Sequence, residues 1–105
     1  MVGTSARADA PPVTHVPQGR LATVVTTKGE LFAIALPRRR AGLVWRLASR
    51  LDPQVLRERA EADAGRQVVV IYEAVGSGVA ALSYGLTRGE RQKAVEGRQF
   101  LVVVL

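Results

Sequence analysis

The chain changes character at residue 20. Before it, Pro11, Pro12 and Pro17 interrupt a run of small and polar residues, and proline cannot donate to a strand ladder, so no central strand is expected there. Residues 21–27 are rich in β-branched side chains and read as a strand, Lys28, Gly29 and Glu30 as a turn, and residues 31–36 as a second strand. A further apolar segment covers 43–47 around Trp45. Residues 67–74 are an apolar β run. Val75, Gly76, Ser77 and Gly78 then supply a tight turn with glycine free to take positive φ, and 79–84 is expected to be the hairpin partner of 67–74. Residues 85–97 are polar, charged and glycine-bearing and read as a loop, and 99–105 as a closing strand paired inside a sheet.

Residues 52–64 carry two readings. Asp52 followed by Pro53 is a good helix opening, and Ala, Glu, Arg and Leu are strong helix formers. Against that, Leu56, Glu58, Ala60, Ala62 and Ala64 alternate with Arg57, Arg59, Glu61 and Asp63, which is nearly a strand period with charges on one face. A single helical turn at 53–56 is compatible with both. The whole pattern is seven or eight short strands with turn signals between them, which predicts an all-β, immunoglobulin-like sandwich.

At 105 residues the chain is sized for one domain, here residues 20–105 behind a flexible N-terminal arm at 1–19. With 48% hydrophobic residues it can bury a single modest core. There is no cysteine, which excludes disulfides, thiolate metal sites and thiol nucleophiles. The net charge is +6, carried by thirteen arginines and two lysines against nine acids, and it favours acidic partners if it is more than a solvated face. The longest apolar run, 100–105, is far short of the ~20 residues of a spanning helix, so no membrane span is expected. Residues 1–19 lack the apolar centre of a signal peptide, and they fit either the start of a cytosolic chain or the mature end of an exported one.

Little in the sequence points to catalysis or a cofactor. His15 is the single histidine and lies in the proline-rich arm. Ser5, Ser49, Ser77 and Ser83 have no visible His/Asp setting. Glu58, Glu61 and Asp63 are interleaved with arginines, as on a solvated face. Gly76-Ser77-Gly78 is too short for a phosphate cradle, and a hairpin turn accounts for it. Arg38, Arg39, Arg40, Arg46 and Arg50 form a basic run without an acid. With five aromatic residues in the whole chain and no recognition motif, nucleic acid is not the favoured partner.

Three segments carry a resemblance. Leu36-Pro37, a short loop and Gly42-x-x-Trp45 come first; Asp63-Ala64-Gly65-Arg66 lies before the run at 67–74; and Tyr84 is followed by Gly85-Leu86-Thr87-Arg88. In order and spacing this resembles the chagasin-type inhibitors of cysteine peptidases. Gly42, Trp45, Gly65 and Tyr84 match that pattern. The family's loop threonine is replaced within Arg38-Arg39-Arg40-Ala41, and its Arg-Pro-Trp motif is absent after Tyr84.

The resemblance implies a strand at about 55–62 and a sandwich with three loops at one end, which enter the cleft of a papain-like peptidase as a wedge. The contact residues it implies are Arg38, Arg39, Arg40, Ala41 and Gly42, then Ala64, Gly65 and Arg66, then Leu86, Thr87 and Arg88. Trp45 and Tyr84 would be structural. Two functions follow as expectations. One is inhibition of a papain-like cysteine peptidase. The other is a non-inhibitory immunoglobulin-like module that binds an acidic protein or polyanion through the basic loop. Neither is enzymatic, and neither needs a cofactor.

Overall fold

In a computed structural model, residues 20–88 and 94–105 are described, and they form seven strands. These are β1 (Arg20–Thr26), β2 (Leu31–Pro37), β3 (Leu43–Leu47), β4 (Leu56–Ala64), β5 (Gln67–Ala74), β6 (Gly78–Arg88) and β7 (Glu96–Val104). They make two facing sheets, one in the order β1-β7-β6-β3 and one in the order β2-β5-β4. All pairings are antiparallel except β1 with β7, where Val24 lies opposite Val102. The arm expected at 1–19 lies outside the described residues.

Alternation decides which face is buried. In β2, Ile34 and Leu36 point inward while Leu31, Ala33 and Ala35 stay exposed. In β6, Ala80, Leu82, Tyr84 and Leu86 point inward. The core between the sheets is built from Ile34, Leu36, Leu56, Val70, Tyr72, Leu82, Tyr84 and Val102. Two buried tyrosines satisfy one another there, with their hydroxyls 2.5 Å apart. Burial raises the pKa of both phenols, so both remain neutral and one donates to the other.

Residues 52–64 use both of their sequence signals in succession. The Asp52 carboxylate accepts from Gln54 N–H at 3.0 Å, and the Asp52 carbonyl accepts from Val55 and Leu56 at 3.1 and 2.9 Å. One turn forms and stops, and β4 follows. A bulge between Glu58 and Ala60 then reverses the sides. Beyond it Glu61 and Asp63 lie opposite the inward Val70 and Val68, while Ala60 and Ala62 lie opposite the outward Ile71 and Val69. The simple alternation expected from the sequence holds only up to the bulge.

Two expectations are corrected. Residues 75–78 do not close a hairpin, because β5 and β6 belong to different sheets. Both edges of β5 are already taken by β2 and β4, so the chain crosses to the other layer. The crossover is pinned to the preceding turn: Val75 and Gly76 donate to the Val55 carbonyl at 2.9 and 3.3 Å. The loop expected at 85–97 is also shorter: Glu96 and Gly97 open β7, and residues 85–88 are strand. They continue β6, paired with β3 on one side and, as far as Leu86, with β7 on the other. Their polar and glycine-rich composition hid a strand whose partners are remote in sequence.

Candidate functional site

Strands β2, β4 and β6 end where β3, β5 and β7 begin, so the three corresponding connections emerge at one end of the sandwich. The first comprises residues 38–42, and the second is the tight turn at Gly65 and Arg66. The third follows Arg88, and residues 89–93 of it lie outside the described residues.

Arginines fasten these connections to one another. Arg38 extends the β2–β5 ladder by one bond, its N–H donating to the Arg66 carbonyl at 2.8 Å. Its Nε donates to the Gly65 carbonyl at 2.7 Å, and its guanidinium forms an ion pair with Asp63. Arg39 reaches the other sheet. Its Nε and Nη2 donate to the two carboxylate oxygens of Glu96 at 2.9 and 2.8 Å, a fork-to-fork pairing at the start of β7. Arg98 adds a looser contact to the same carboxylate at 3.5 Å. The Glu96 pKa is lowered, first by the hydrogen bonds from Arg39, against a smaller opposing effect of burial.

Trp45 sits beneath this network. It is half-buried against the core, and its indole N–H donates to the Pro37 carbonyl at 2.8 Å, where the chain leaves β2. The loop above it turns through Gly42 at φ +91°. Nothing lies within 4 Å of a Cβ built at Gly42, so it is the backbone angle and not space that calls for glycine. Gly65, at φ +71°, serves the second turn in the same way.

The expected contact residues therefore divide into three groups. Arg38 and Arg39 are occupied in holding the end together. Arg40, Ala41, Gly42, Ala64, Gly65, Arg66 and Arg88 are exposed, and among the described residues Arg40, Arg66 and Arg88 carry no ion pair. Leu86 and Thr87 are buried, at 2% and 0% exposure. Leu86 lies opposite Trp45, and the Thr87 hydroxyl lies 3.5 Å from the Val44 carbonyl. Their place inside β6 removes them from any contact surface. Tyr84 is a core residue, at 4% exposure. Asp63 and Glu96 are the members of the network that sequence reading missed. Glu96 is 57 residues from Arg39, and no local spacing announces such a pair.

No family model matches the chain, and comparison with curated proteins returns no match. Among solved structures, the cysteine protease inhibitor EhICP2 from Entamoeba histolytica is similar, with a TM-score of 0.62 over 85% of this chain and 99% of that one. Sequence identity is 12%, so the likeness establishes the fold alone. The fold is the all-β sandwich that the resemblance to chagasin-type inhibitors implies.

Proposed function

We propose that the chain inhibits papain-like cysteine peptidases by lodging the arginine-rich end of the sandwich in the active-site cleft. The observation that carries this reading is the cross-bracing of that end by Arg38 and Arg39, on a fold shared with a cysteine protease inhibitor. Occlusion needs loops that are already in their bound shape, since ordering them on contact would consume binding energy. The Arg38 bonds to the second turn and the Arg39 fork to β7 supply that order. The wedge would cover the catalytic thiol without presenting a bond to cleave. Arg40, Arg66 and Arg88, exposed and without an ion pair among the described residues, would make the contacts, and arginine is a residue type enriched at interface centres.

The test is titration into papain and into a cathepsin-L-like enzyme, following a fluorogenic peptide. Reversible inhibition is expected, weakened about tenfold or more by Arg40→Ala combined with Arg66→Ala. No inhibition at about 10 μM, the weak end of specific binding, overturns the proposal for these enzymes.

The three exposed cations Arg40, Arg66 and Arg88 also favour a second reading, a non-inhibitory module that binds an acidic protein or polyanion. It predicts salt-sensitive binding to an acidic ligand, with peptidase activity untouched.

A further inference from the structure

Among the described residues the two open sheets have four edge strands, β1 and β3 in one and β2 and β4 in the other, and they are protected unequally. Edge strands are normally blunted by charge, by bulges or by being short. β4 has charges at five of nine positions, among them the exposed acids Glu61 and Asp63, and a bulge. β3 is five residues long and carries Arg46. β2 (LFAIALP) has no charged residue at all, and β1 has none after Arg20. These two strands border the same side of the molecule. A groove of about 310 Å³ runs between them, lined by Leu21, Ala22, Ala35, Arg98, Gln99 and Phe100. Leu21 and Val25 of β1 and Leu31 of β2 are 70%, 63% and 63% exposed.

The hydrogen-bond phase of β2 is set by its two ends. Ala74 N–H donates to the Glu30 carbonyl, and Arg38 N–H donates to the Arg66 carbonyl. Even-numbered residues of β2 therefore bond to β5, and the N–H and C=O groups of Leu31, Ala33 and Ala35 point to the open edge. Their side chains lie on the outer face, so the edge offers backbone groups flanked by two alanines.

We propose that β2 pairs antiparallel with β2 of a second copy of this chain, about a two-fold axis through Ala33. Ala33 then faces its own copy, and Leu31 faces Ala35 of the other chain on both sides of the axis. Each of these three pairs closes two backbone hydrogen bonds. The two three-stranded sheets become one continuous sheet, and Leu31 gains an apolar neighbour. Pro37, which has no N–H to offer, falls beyond the last pair.

Area is consistent with a pair of modest strength. Seven strand residues span about 24 Å, and two layers with their side chains are about 20 Å deep. The side buries about 1,000 Å² in total when two copies meet, the lower limit for a specific interface. A dissociation constant on the order of 100 μM is expected. Because the strands run antiparallel, the two arginine-rich ends point in opposite directions and stay open.

Sedimentation equilibrium of the full chain from 10 μM to 1 mM (concentrations on the scale of about 0.1 to 10 times the expected constant) tests the proposal. The wild type should pass from monomer to dimer. Ala33→Lys and Ala33→Glu should each stay monomeric with an unchanged melting curve, since position 33 is exposed and each new charge would face itself. An equimolar mixture of the two should recover the dimer, because opposite charges then meet at the axis. Ala33→Pro, which removes an N–H that β5 does not use, should also be monomeric and folded. A wild type that stays monomeric throughout overturns the proposal. So does a dimer indifferent to Ala33→Lys, or a mass that climbs past the dimer.

Discussion

At the scale of single residues, two glycines serve different ends and respond differently to the same change. A Cβ at Gly76 would lie 2.1 Å from the Gln54 carbonyl oxygen, a backbone atom that cannot swing aside. Gly76→Ala must separate the crossover from the 52–55 turn and disturb the bonds that Val75 and Gly76 make to Val55. It should cost about 2 kcal/mol or more, read as a lower urea midpoint with unchanged slope. Gly42→Ala meets open space and bears only its backbone angle, so about 1 kcal/mol is expected. A Gly76→Ala protein as stable as wild type would show that the approach is looser than described. Trp45 and Tyr84 were legible as anchors because large apolar side chains are costly to leave in water. Gly76 was legible only as a turn former, since its close contact comes from residues 52–55 folding back beneath it.

At the scale of elements, strands were legible wherever alternation or β-branching marked them. Their partners were not. A sequence of strand, glycine-rich turn and strand satisfies a hairpin locally, and only the occupancy of both β5 edges excludes it. The β4 bulge escaped notice for a similar reason, as it moves charges across the sheet without changing composition. Salt bridges between elements share this long range, and the Arg39–Glu96 fork gives a testable consequence. Glu96 titrates below its ordinary value of 4.5, chiefly through the hydrogen bonds from Arg39. A carboxylate lowered in the folded state adds stability that is fully present above the ordinary value and lost as the pH falls through the folded one. Acidification below about pH 4.5 should thus release loop 38–42 from β7 before the core melts. Trp45, bonded to Pro37 at the root of that loop, is the reporter. Its emission should shift reversibly on acidification, with a smaller amplitude in Glu96→Gln. A Glu96→Gln protein that shows the full wild-type shift would place the titration elsewhere.

At the scale of the whole molecule, the net charge of +6 becomes a kinetic quantity once it is located. The sequence showed a basic run at 38–40, but it could not separate arginines that brace the fold from those that face a partner. Folding makes that division among the described residues: Arg38 and Arg39 are taken by Asp63 and Glu96, while Arg40, Arg66 and Arg88 carry no ion pair there. Such cations draw an acidic partner in over distances of about a Debye length, ~8 Å at physiological salt, and so govern the association rate more than the lifetime of the complex. If the proposed inhibition holds, raising salt from about 50 to about 500 mM should therefore slow association with a peptidase whose cleft rim is acidic roughly tenfold, and change dissociation little. Arg40→Ala, Arg66→Ala and Arg88→Ala together should remove most of that salt dependence. Arg39→Ala should instead speed dissociation, because it unties a loop whose rigidity the proposed wedge depends on. Stopped-flow measurement of both rates separates the two classes of arginine. If all four substitutions act on the association rate alone, the bracing assigned to Arg39 has no part in binding.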